Sequence, residues 1–104
     1  MKTGTKYTPV EITGNFYNLE KVGDKDFYIL GFEAVWVEWD ENNRFKSEHK
    51  KAQEGFSLLI DPYGGSYSWL TTPVTEIITN TKDLVEFKTK NSHYKLHWNE
   101  NRNL

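Results

Sequence analysis

Leu84-Val85-Glu86-Phe87-Lys88-Thr89-Lys90-Asn91-Ser92-His93-Tyr94-Lys95-Leu96-His97-Trp98 sorts into two faces when folded back on itself at Asn91-Ser92. A two-residue turn there sets Lys90 opposite His93, Thr89 opposite Tyr94, Phe87 opposite Leu96 and Val85 opposite Trp98, and a four-residue turn about the same centre keeps those pairs. Val85, Phe87, Tyr94, Leu96 and Trp98 then share one face, while Glu86, Lys88, Lys90, His93, Lys95 and His97 collect on the other. Side chains alternate along a strand, so a slip of one residue would scatter this sorting. Two segments that agree on it predict an antiparallel hairpin with one buried and one wet face.

The rest of the chain extends that reading. Thr, Tyr, Val, Ile, Phe and Trp are abundant and turn signals recur at close intervals, which predicts a mainly β domain of about seven short strands, a small antiparallel β-barrel or β-sandwich. Tyr7–Thr13, with Pro9, suits an edge strand; Gly14-Asn15 marks a turn, and Phe16–Val22 resumes. Gly23–Asp26 is a turn. Phe27–Trp39 is the longest strand candidate, with Tyr28, Leu30, Phe32, Ala34 and Trp36 on a nearly pure apolar face and Gly31 as a place to bend. Over Arg44–Glu54, good helix formers place Phe45, His49, Ala52 and Phe56 on one helical stripe, with Asn42 or Asn43 to cap the start and Gly55 to close the end. This predicts one short helix near residues 44–54, with a charged hairpin loop as the alternative. Gly55–Asp61, Ser66–Thr72 and Val74–Thr79 read as strands around the Asp61-Pro62-Tyr63-Gly64-Gly65 turn and Pro73, and residues 99–104 read as a loose tail.

The length, 104 residues, suits one domain. There is no cysteine, so disulfides and thiol chemistry are excluded, in keeping with a reducing, cytoplasmic setting. No apolar leader follows Met1, and Gly31, Glu33 and Glu38 interrupt the longest apolar stretch, so no membrane span is expected. The net charge of −2 argues against general affinity for nucleic acid. Charge is uneven: residues 1–45 carry eight acids against five bases, residues 84–104 four bases against two acids.

No catalytic motif stands out. His93 and His97 are four apart, which on a strand is roughly 13 Å and too far to share an ion; no metal or other cofactor is expected. None of Ser57, Ser66, Ser68 or Ser92 sits in a nucleophile-elbow pattern. Glu33 and Glu38 differ in parity and point to opposite faces of a regular strand, so they cannot act as a carboxylate pair. Glu33 would become a site candidate only if buried. Gly64-Gly65 lacks the lysine and helix of a phosphate loop.

Two binding surfaces remain. Tyr63, Tyr67 and Trp69 surround the Gly64-Gly65 turn, where side chains can project outward to a protein partner. Lys88, Lys90, His93 and Lys95 form a basic ladder that a single-stranded nucleic acid could track, against the plainer reading of a solvated sheet face. The expectation is a non-enzymatic interaction module that binds another protein, with nucleic acid second, and a small-ligand carrier or enzyme third; a pocket lined by Trp36 and Glu33 would favour the third.

Overall fold

The computed structural model describes residues 15–61 and 69–100. Nine strands and no helix occur among them: β1 (Phe16–Lys21), β2 (Asp24–Gly31), β3 (Glu33–Trp39), β4 (Phe45–His49), β5 (Ser57–Asp61), β6 (Trp69–Leu70), β7 (Val74–Asn80), β8 (Leu84–Thr89) and β9 (His93–Asn99). They form two antiparallel sheets, one ordered β2-β1-β9-β8-β7 and the other β4-β3-β5-β6. The sheets face each other as an open sandwich rather than a closed barrel. The expected strand Tyr7–Thr13 lies outside the described residues.

The core forms where the two inner faces meet. Leu19, Phe87, Tyr94 and Leu96 from the five-stranded sheet pack with Trp36, Leu58 and Ile60 from the four-stranded one, and Val74 and Phe56 close the side. Phe87 is the central residue. Its ring meets Trp36 edge-on across the sheets, with centroids 5.3 Å apart, and stacks on Tyr94 of its own sheet at the same distance. Such pairs add to the stabilisation that area burial alone provides.

The hairpin sorts its faces as expected but pairs two residues further along. Lys88 lies opposite His93, Phe87 opposite Tyr94 and Val85 opposite Leu96. The Thr89 amide donates to the Ser92 carbonyl, so Lys90-Asn91, not Asn91-Ser92, forms the centre of the turn. A period-two pattern sets register only up to an even shift. The stacked Phe87–Tyr94 pair is available only in the observed register, and Trp98 instead reaches past β8, its amide donating to Asp83 O and its ring lying 4.5 Å from Tyr17. Asn99, placed in the loose tail by its sequence, ends β9 and donates through Nδ2 to Asn18 Oδ1 at 2.7 Å.

Phe27–Trp39 is two strands, not one. β2 is an edge of the five-stranded sheet and β3 lies inside the four-stranded sheet, so the chain crosses the sandwich at Phe32. The crossing reverses the parity of burial. Phe27 and Ile29 pack inward before it, Ala34 and Trp36 after it, while Tyr28 and Phe32 are exposed. The single apolar face expected over Tyr28–Trp36 therefore does not exist. Gly31 makes the crossing possible by space: a Cβ there would lie 2.7 Å from Ile60 Cγ1.

The helix expected near residues 44–54 is absent, and β4 occupies its first half. Asp40 organises the turn before it, with Oδ1 accepting from the amides of Asn42 and Arg44 and its carbonyl accepting from Asn43. Asn43 takes a left-handed φ of 62°, a conformation that asparagine tolerates. The supposed helical stripe has no common surface to bury: Phe45 is 57% exposed and Phe56 is 8% exposed. Pairing with β3 satisfies the backbone instead and brings Ser47 and His49 beside Glu38.

Candidate functional site

The outer face of the five-stranded sheet carries the lysines singled out by sequence, and its topology mixes them with carboxylates. Lys95 stands between Glu20 of β1 and Glu86 of β8, and Lys88 stands beside Glu76 of β7. His93 Nε2 lies 2.8 Å from Glu86 Oε2, and His97 Nε2 bonds Glu20 Oε2. Only Lys90, at the turn, has no opposing carboxylate in this register. Cross-strand pairs of opposite charge stabilise a sheet but leave a face of mixed sign. Glu86 was visible within the hairpin; Glu20 and Glu76 reach this face because β1 and β7 flank it. Near the turn, Lys88, Lys90 and His93 do converge with Lys21 around a shallow hollow of about 430 Å³. Lys21 itself folds over the rings of Phe27 and Tyr94, at 5.3 and 5.9 Å.

Trp69 is half-buried. Its ring meets Phe27 edge-on at 5.2 Å and packs against the core, and Nε1 is buried without a partner among the described residues. Tyr63 and Tyr67 lie outside the described residues. Glu33 is exposed and sits opposite Asp61, so it lines no pocket.

The outer face of the four-stranded sheet is unlike its counterpart. Ala34, Trp36, Leu58, Ile60 and Trp69 point into the core, so alternation turns Val35, Val37, Trp39, Leu59 and Leu70 outward. Trp39 Nε1 donates to Ser57 Oγ at 2.9 Å, and Val37 and Ser57, paired across β3 and β5, are both buried. Phe45, opposite Trp39, is 57% exposed, and Leu70, opposite Leu59, is 48% exposed. Glu33, Glu48 and Asp61 stand on the same face.

At one end the sheets part around a cleft of about 390 Å³. Its floor is Trp36, Ala34, Val85 and Leu96, with Tyr17 and Ala52 beside them; Lys50, Lys51 and Lys82 rim it. Tyr17 lies on the Trp98 ring, and burial pushes its phenol pKa up. Sequence reading found Trp36 but missed this site, because its walls come from five strands and two loops far apart in the chain.

Near the cleft, Glu38 gathers a polar cluster. Its carboxylate lies 2.8 Å from His49 Nε2, 3.1 Å from Ser47 Oγ and 3.3 Å from Lys46 Nζ, while the His49 ring stacks on Phe56. The hydrogen bonds from His49 first, and then Ser47, hold the Glu38 carboxyl below its ordinary value of 4.5. A depressed folded-state value stabilises the fold above the unfolded-state value, and that contribution is lost as pH falls through the folded one. The stability difference between the wild type and Glu38→Gln should therefore be constant near neutrality and shrink below about pH 4.5. Denaturant melts across the acid range check this, and a difference that persists undiminished to about pH 2 would refute it.

Among the described residues, no three His, Cys, Asp or Glu side chains converge on a metal position, and no helix is long and apolar enough to cross a membrane. No family model, curated protein or solved structure matches this chain.

Proposed function

We propose that this chain is a non-enzymatic binding domain whose partner is a protein docked on the outer face of the four-stranded sheet. The observation that carries this reading is the contrast between the two outer faces. An antiparallel sheet that meets water on its outside is ordinarily polar there, and the five-stranded sheet carries charged pairs over β1, β9 and β8, with exposed Tyr28 and Ile78 on its edge strands β2 and β7. The other sheet presents Val35, Trp39, Phe45, Leu59 and Leu70 instead. Contiguous apolar surface on a small domain marks an interaction site. Glu33, Glu48 and Asp61 on that face favour a partner whose apolar surface is flanked by lysine or arginine. The lack of cysteine fits a cytoplasmic setting. The nucleic-acid alternative, through Lys88, Lys90, His93 and Lys95, has less support, because Glu20, Glu76 and Glu86 interrupt the positive face.

Site-specific photocrosslinking in native cells tests this. Benzoylphenylalanine in place of Leu70 should give a discrete protein adduct that disappears when Leu59→Lys is added. The same group in place of Lys95 should give none. Equal adducts from both faces, a nuclease-sensitive adduct at Lys95, or a dimer of this chain as the sole product would overturn the proposal.

A further inference from the structure

We infer that the cleft between the sheets binds a small amphipathic anion, with its apolar body against Trp36, Val85 and Leu96 and its charged head at Lys50, Lys51 and Lys82. This site is separate from the protein-binding face, which lies on the outer surface of the four-stranded sheet.

Three observations support it. The first is shape. The volume, about 390 Å³, falls within the range of small-molecule sites, and the floor belongs to the core itself, since Trp36 and Leu96 are almost fully buried. The space exists because the walls carry Ala34 and Ala52 where larger apolar side chains would fill it. The second is charge. Among the described residues three lysines rim the mouth and no carboxylate lines it, in a chain whose net charge is −2. Lys82, its side chain 75% exposed, meets Glu100 only at 3.7 Å, and a surface pair at that distance yields readily to another anion. The third is hydrogen bonding. The Asn80 amide stands at the rim, and the Tyr17 phenol, protonated at neutral pH, adds a donor at the wall. An apolar body with a negative head uses all of these groups. A cation would meet only repulsion at the rim, and a neutral ligand would leave the lysines unused. Lysine's compact charge does not select among carboxylate, sulfonate and phosphate heads, so the class is set by charge and apolar bulk.

Two dyes with the same aromatic body separate these possibilities. 1-Anilinonaphthalene-8-sulfonate carries the anionic head and N-phenyl-1-naphthylamine lacks it. In fluorescence titrations at low salt the sulfonate should bind at least about tenfold more tightly than the neutral dye. Combining Lys50→Ala, Lys51→Ala and Lys82→Ala should weaken the sulfonate by about tenfold and leave the neutral dye unchanged. Ala34→Leu should abolish binding of both by filling the cleft. If that variant is too unstable, Ala52→Leu fills the cleft from the loop side. Leu70→Ser, on the outer face, should change neither dye. Equal affinity for the two dyes, retention of the sulfonate by the triple variant, or binding lost with Leu70→Ser but kept with Ala34→Leu would overturn the inference.

Discussion

Phe87→Ala should lower the unfolding free energy by about 3–5 kcal/mol, the usual cost of emptying a fully buried aromatic position. Phe87 has no exposed surface, and its ring joins the sheets by meeting Trp36 on one side and stacking on Tyr94 on the other. Losing it removes apolar burial and both ring contacts and leaves a cavity that two rigid sheets cannot collapse around. Lys88, one residue on, is exposed, and Lys88→Ala should change stability by no more than about 0.5 kcal/mol. Urea melts of the two variants make the comparison. Similar losses would show that the hairpin does not present these faces. The effect is a large share of the stability typical of a domain, about 5–15 kcal/mol.

Gly31→Ala should cost about 1–3 kcal/mol, and Gly31→Val more. The reason is steric. Gly31 is not in the left-handed region that only Gly23 and Gly55 occupy among the described glycines. Here the crossing brings β2 against β5, and a new Cβ would meet Ile60 Cγ1 at 2.7 Å and Asp61 O at 3.2 Å. The Phe32 amide donates to that same Asp61 carbonyl, so the backbone there cannot withdraw freely. Removing the obstructing side chain tests the mechanism. Ile60→Ala is destabilising by itself, but in its background Gly31→Ala should cost less than half of what it costs in the wild type. Additive losses in thermal melts would mean that the clash with Ile60 is not the cause.

The hairpin and the crossing mark the limit of what the sequence by itself determined. Alternation in Leu84–Thr89 and His93–Trp98 decided which side chains enter the core, because a strand's period is two and each residue's chemistry is local. The same alternation could not decide which of two registers differing by an even step is used; the stacking of Phe87 on Tyr94 and the turn at Lys90-Asn91 did. Composition was enough to establish the mainly β class. The division of Phe27–Trp39 between two sheets, with its reversal of buried parity, was beyond it, because both halves are apolar and only their partners, β1 on one side and β5 on the other, distinguish them. The helical pattern over residues 44–54 was outcompeted because β3 offered Phe45–His49 a backbone to pair with, while no surface awaited the stripe. The candidate sites divide in the same way. The lysines of the last hairpin were legible as a group, but Glu20 and Glu76 joined them only through sheet order. The apolar outer face and the lysine-rimmed cleft depend on residues from strands far apart in the chain. Local periodicity therefore settled which residues are buried in the last hairpin but misplaced them over Phe27–Trp39, where tertiary pairing alone decided which face each half buries and what it is set against.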